Sequence, residues 1–187
     1  TISTTYTLTV TNSCGSVDDF VTVTISTTPS VNAGTDATIC IGGNTPLNAT
    51  GSGTYNWLPV TGLSCTACAS PVANPTVTTS YTVTMTTANC GSADDVVIVN
   101  VNPLPDINIT GNTVLCLGQT TTLTATNGVT YTWAPDGQTT TDITVSPTAT
   151  TTYTVTGTDA NGCTNTDAVT VNVNPLPNIN IAGNTVL

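Results

Sequence analysis

Seven cysteines and ten aspartates are the only side chains in this 187-residue sequence with obvious chemistry to offer. There is no Lys, Arg or His, and every acid is Asp. General acid–base catalysis at neutral pH favours His, Glu or a tuned Lys. Asp18-Asp19 and Asp94-Asp95 are adjacent pairs, but neighbours on a strand point to opposite faces, and Asp167 is followed by Ala168. No enzyme is expected. Cys65-Thr-Ala-Cys68 is a CxxC. Zinc normally takes four ligands, and neither a His nor a second CxxC is present. A redox CxxC would sit at a helix N-terminus, and no helical spacing occurs. A local Cys65–Cys68 disulfide pinning a loop is therefore expected. Asp36, Asp106, Asp136, Asp159 and Asn161 lie in turns or at junctions, where Asp and Asn are favoured for their own backbone geometry. They are the residues to which calcium would have to bind. No other cofactor is expected.

Seven cysteines in so short a chain point to an oxidising compartment and to disulfides. The net charge is −10 with no cation to balance it. That excludes phosphate-backbone binding, so no nucleic-acid partner is expected. It also excludes adhesion to an anionic membrane surface, and no apolar run approaches the ~20 residues of a membrane span. Without a Lys, a Lys–Asn isopeptide cross-link is impossible. Asn48-Ala-Thr50 and Asn108-Ile-Thr110 are formal glycosylation triplets.

The elements that must position these residues recur. Thr151-Thr-Tyr-Thr-Val-Thr156, Cys163 and the run Asp167-Ala-Val-Thr-Val-Asn-Val173 reappear as Thr79-Ser-Tyr-Thr-Val-Thr84, Cys90 and Asp95-Val-Val-Ile-Val-Asn-Val101. They appear again as Thr4-Thr-Tyr-Thr-Leu-Thr9, Cys14 and Asp19-Phe-Val-Thr-Val-Thr-Ile25. Each copy alternates apolar residues with Thr, which marks a hairpin with one apolar face. Cys40, Tyr55 and Trp57 return 76 positions later as Cys116, Tyr131 and Trp133, whereas Tyr81 returns 72 later as Tyr153. The four-residue difference lies in the loop carrying Cys65 and Cys68.

The chain thus divides into residues 1–27, the closing hairpin of a preceding copy; 28–101 and 102–173, two full copies; and 174–187, the start of a following one. A period in the seventies is too long for a solenoid unit and suits a small sandwich. Thr and Val are stiff at χ1 and favour pleated structure. The expected fold is all-β: tandem seven-stranded immunoglobulin-like sandwiches arranged end to end, constant-like in strand count. Trp57 and Trp133, on the third strand of each copy, and Tyr81 and Tyr153, on the closing hairpins, are the expected core.

Asn32-Ala-Gly-Thr-Asp-Ala-Thr-Ile-Cys40, Gly62-Leu-Ser-Cys-Thr-Ala-Cys68, Thr79-Ser-Tyr-Thr-Val-Thr84 and Asp159-Ala-Asn-Gly-Cys163 resemble the immunoglobulin-like, PKD-like repeats of very large Bacteroidetes-type surface proteins, some of them gliding adhesins. The resemblance covers essentially the whole sequence. It implies an exported, cell-surface or extracellular protein and carries over no catalytic residue.

Two cysteine pairings are open. Within each copy, Cys40 would bond Cys90 and Cys116 would bond Cys163. In an immunoglobulin-like sandwich, however, the strand over 119–126 separates the two members of such a pair by about 25 Å at ~3.3 Å per residue. A disulfide spans at most ~7 Å between Cα atoms. Stacking the copies head to tail would instead bring Cys40 to Cys163 across a junction, and this pairing is favoured.

The function expected is a structural array, an adhesin stalk or extracellular filament stiffened by disulfides. Its partners are neighbouring repeats, further copies of itself, or surface glycans. The alternative is a carbohydrate-binding or accessory module of a secreted enzyme, which requires solvent-facing aromatics in a groove.

Overall fold

The computed structural model describes residues 2–180 and Gly183. Among the described residues there are fifteen strands and no helix. The chain falls into two compact units, Thr1–Val101 and Asn102–Leu187. The expected opening strands of a further copy, over 174–187, fall largely on residues 181, 182 and 184–187, which lie outside the described residues.

In the first unit, β1 (Ile2–Asn12) and β2 (Gly15–Ile25) form an antiparallel pair from Ile2↔Ile25 to Asn12↔Gly15. Every residue of both strands is exposed. The sandwich follows with β3 (Ala37–Cys40), β4 (Thr45–Pro46), β5 (Thr54–Leu58), β6 (Val72–Ala73), β7 (Thr79–Thr87) and β8 (Gly91–Asn102). One sheet has the order β3-β8-β7-β5, and β4 pairs β6 in the other. Between them lie Leu47, Ala49, Trp57, Ala73, Tyr81, Val83, Val97 and Val99, all buried.

The second unit carries β9 (Asn108–Thr110), β10 (Val114–Cys116), β11 (Thr121–Thr126), β12 (Thr130–Ala134), β13 (Asp142–Val145), β14 (Thr151–Thr158) and β15 (Thr164–Asn174). Its sheets run β10-β15-β14-β12 and β13-β11-β9. Leu123, Trp133, Ile143, Tyr153, Val155 and Val171 are buried between them. This is a seven-stranded immunoglobulin-like sandwich, but its strands are not shared out as in the constant type. The opening strand splits: β9 pairs antiparallel with β11, then Gly111 (φ +148°) turns the chain so that β10 runs parallel to β15 in the opposite sheet. The tryptophan strand is consequently the fourth, where the sequence suggested the third.

The first unit has the same plan with a weaker second sheet. Residues 46–50 read as a strand, yet regular pairing ends at Pro46↔Val72. Pro71 stands where the second unit has Ile143, and proline has no N–H for the ladder. Leu47 N–H still reaches the Pro71 carbonyl at 2.8 Å, and Asn32 and Thr50 exchange two backbone bonds at 3.0 and 2.8 Å. β6 lies inside the stretch 59–75 that reads as loop. Apart from the turn-rich composition there, its two residues leave no periodicity to detect.

Candidate functional site

Alternation on β5 and β12 turns Trp57 and Trp133 inward, and both indoles are buried. Each tryptophan is gripped twice by the segment that follows it. Trp57 N–H donates to Thr66 O and its indole Nε1 to Cys68 O, both at 2.9 Å. Trp133 N–H donates to Gln138 O at 2.8 Å and its Nε1 to Thr140 O at 2.9 Å. The very next carbonyl, Ala69 or Thr141, takes the amide of Ala49 or Ala125 at 2.9 Å. One triad of carbonyls therefore ties the tryptophan strand to the opposite sheet in both units. In the second unit a tight turn through Gly137 presents it, with Gly137 N–H donating to Trp133 O at 2.7 Å. In the first, a longer loop presents it, closed by the Cys65–Cys68 disulfide. The CxxC is a clasp on the core, and no group of three His, Cys, Asp or Glu suited to a metal occurs among the described residues.

Cys14, Cys90 and Cys116 are free thiols, Cys14 and Cys116 exposed and Cys90 half-buried. The within-copy pairings Cys40–Cys90 and Cys116–Cys163 are therefore not formed. One member of each pair sits in a hairpin turn and the other beside the opening strand, in keeping with the length of strand between them. Neither Cys40 nor Cys163 is free. Cys163 closes the β14–β15 turn, where Asp159 Oδ1 accepts from Asn161 N–H and Cys163 N–H, both at 2.8 Å, and Gly162 adopts φ +81°.

The aspartates do local structural work. Asp95 Oδ2 accepts the Ala33 amide at 2.8 Å, and Asp167 Oδ2 accepts the Ile109 amide at 2.9 Å. In each unit a half-buried carboxylate on the last strand thus tethers the opening segment. The Ala33 amide, followed by that of Val96, holds the Asp95 carboxyl below its ordinary range. Asp36 Oδ1 takes the Ile98 amide at 2.8 Å. Asp36, Asp106, Asp136, Asp159 and Asn161 belong to separate turns and junctions; the structure does not gather them into one cluster. The tethering role of Asp95 and Asp167 escaped the sequence reading. Its one signal is an acid placed at the alternation of Val97 and Val99.

Tyr81 and Tyr153 are buried, and burial raises both hydroxyl pKa values, with Asp136 adding to the rise at Tyr153. Tyr81 Oη donates to the Thr61 carbonyl at 2.8 Å. Since both tryptophans are internal, neither provides a platform on which a sugar ring could stack. No helix among the described residues is long and apolar enough to cross a membrane.

No protein-family model and no curated protein matches the chain. Solved structures do. The eight N-terminal immunoglobulin domains of Down Syndrome Cell Adhesion Molecule align with TM-score 0.56 at 15% identity, over 92% of this chain and 27% of that one. Drosophila OTK extracellular domains 3–5 align at 0.44 and 12%, covering 91% of this chain and 70% of that one. A Ca2+-stabilized adhesin of an ice-binding Antarctic bacterium aligns at 0.38 and 17%, covering 93% and 57%. The chain spans about a quarter of the first of these structures. At such identities the likeness is one of fold: both units are immunoglobulin-like sandwiches.

Proposed function

We propose that this chain is a section of a structural repeat array of a secreted or surface-anchored protein, an adhesin stalk or extracellular filament. Its copies stand end to end, and a disulfide between Cys40 and Cys163 rivets one sandwich to the next. The observation that carries this reading is the state of the cysteines. Cys14, Cys90 and Cys116 are free, while Cys40 and Cys163, one from each unit, are not. A small sandwich buries a modest core, and a disulfide adds typically 2–4 kcal/mol by restricting the unfolded chain. Placed at a junction, it would also resist bending and extension. The buried tryptophans and the local duties of the aspartates leave no constellation for catalysis. Extracellular placement fits the disulfide chemistry.

Peptide mapping by mass spectrometry under non-reducing conditions tests the proposal. Trypsin has no site in this sequence, so cleavage at Asp and at aromatic residues is needed. A linked pair of peptides containing Cys40 and Cys163, separated by reduction, is expected. Linked pairs joining Cys40 to Cys90 or Cys116 to Cys163 would overturn it.

A further inference from the structure

Two asparagines in the chain precede a glycine, Asn127-Gly128 and Asn161-Gly162. Such a pair carries its own chemistry. The glycine amide nitrogen can attack the asparagine Cγ, and glycine, with no Cβ, obstructs that approach least. The fold treats the two sites in opposite ways.

Asn127, at φ +69°, lies in the turn between β11 and β12. Its Nδ2 donates to the Asp106 carbonyl at 2.8 Å, which fixes the carboxamide. The nucleophile, Gly128 N–H, donates to Tyr131 Oη at 2.8 Å, and the same hydroxyl returns a bond to Gly128 O at 2.9 Å. A Cβ on Gly128 would lie 2.9 Å from the Tyr131 ring, so the glycine is pressed against it. Both reacting groups are held, and releasing two ordinary hydrogen bonds slows a reaction roughly tenfold or more.

Asn161 and Gly162 stand in the β14–β15 turn, both exposed. Gly162 has open space around it, with no atom within 4 Å of where its Cβ would stand. Their hydrogen bonds are long. Gly162 N–H reaches the Asp159 carbonyl at 3.2 Å and Asn161 Nδ2 reaches Asp159 Oδ2 at 3.5 Å, against ~2.9–3.0 Å for an ordinary N–H···O bond. The corresponding turns of the other copies lack the pair: Asn89 precedes Cys90, and Asn12 precedes Ser13.

We propose that Asn161 is a site of self-modification. Gly162 N bonds to Asn161 Cγ as the Cγ–Nδ2 bond breaks. The nitrogen leaves as ammonia, taking the proton lost by the Gly162 amide, and a five-membered succinimide closes. Water then opens the ring at either carbonyl, leaving aspartate or isoaspartate. The aspartyl product puts a carboxylate where Asn161 Nδ2 now faces Asp159 Oδ2, so a donor becomes a like charge. The isoaspartyl product lengthens the backbone of the turn by one methylene. Asp159 Oδ1 also accepts the Asn161 and Cys163 amides, both at 2.8 Å. Either product therefore strains the carboxylate that seats the buried Cys163, and the turn loosens as the chain ages. The reaction needs only the second unit's own turn and does not depend on the end-to-end array.

Peptide mapping of the full chain aged in warm neutral buffer, beside a sample aged unfolded in urea, tests it. Each conversion adds about 1 Da. In the unfolded sample the two Asn-Gly pairs should convert alike. In the folded sample Asn161 should convert at a rate comparable to the unfolded one, while Asn127 falls behind by roughly tenfold or more. Hydrogen exchange at the Cys163 amide should quicken in the aged chain and in the variant Asn161→Asp. It should stay constant with age in Asn161→Gln, whose longer side chain would have to close a six-membered ring. Three results overturn the proposal: a folded Asn127 that converts as fast as Asn161, a folded Asn161 slowed as much as Asn127, or Cys163 exchange that conversion leaves untouched.

Discussion

The indole Nε1 of Trp57 donates to the carbonyl of Cys68 at 2.9 Å, so a disulfide half-cystine holds the acceptor on which the core tryptophan hangs. Trp133 uses Thr140 in the same way without a disulfide. Closing a four-residue ring restricts the unfolded chain by only about 2 kcal/mol. The double substitution Cys65→Ser/Cys68→Ser should therefore cost the first unit about 1–2 kcal/mol and leave it folded. Hydrogen exchange at the Trp57 indole should quicken while that of Trp133 stays unchanged. Equal exchange at Trp57 before and after substitution would mean that backbone pairing alone holds the loop.

Asp95 ties the last strand of the first unit to Ala33 at 2.8 Å. Its folded pKa lies below the ordinary aspartate value because the Ala33 and Val96 amides stabilise the charged form. The contribution is therefore complete above about pH 4 and disappears as pH falls through the lower folded value. Asp95→Asn keeps an oxygen acceptor and loses the charge, and should lower stability at pH 7 by about 1 kcal/mol. The gap between variant and parent should narrow between pH 4 and pH 2. Thermal midpoints at pH 7, 4 and 2 measure it, and a gap that persists at pH 2 rules out the charge as its source.

These tethers mark where the sequence stops being legible. Strand Thr54–Leu58 and the Tyr81 and Tyr153 hairpins follow directly from apolar residues alternating with Thr, and so do the core positions of Trp57 and Trp133. Alternation also says that Asp94 and Asp95 face opposite ways. It cannot say that the inward one meets an amide 62 residues earlier, in the segment that opens the unit. The switch of the opening strand between sheets at Gly111 is hidden for a similar reason. Both halves read as short strands, and only the three-dimensional partner distinguishes them. β6 is lost because Pro71 interrupts the pairing that would have lengthened it.

Tyr81 adds an alkaline counterpart. Burial raises its pKa above 10.0. Its contribution is thus complete below the unfolded value near 10 and is lost as pH rises through the higher folded value. Tyr81→Phe removes the bond to Thr61 O as well as the ionisable group. It should cost about 1 kcal/mol at neutral pH and make the first unit less sensitive to alkali. Unfolding midpoints at pH 8 and pH 11 check this, and equal alkaline losses in both proteins would count against it.

Gly157 shows how the two copies exchanged bulk across the core. It stands on β14 where β7 has Met85, which is 1% exposed. A Cβ at Gly157 would collide with Ile107 Cδ1 and lie 2.8 Å from its Cγ1. The residue in the Ile107 position of the first unit is the smaller Val31, which packs against that unit's core. One unit thus fills this space from the hairpin and the other from the opening strand. Gly157→Met alone should overpack the second unit and cost about 1–3 kcal/mol or more. Adding Ile107→Val should recover part of that loss, although the valine change alone costs about 0.5–1.5 kcal/mol. A double-mutant cycle by urea denaturation would then give a favourable coupling for the pair. Strict additivity would mean that the two side chains do not compete for one volume.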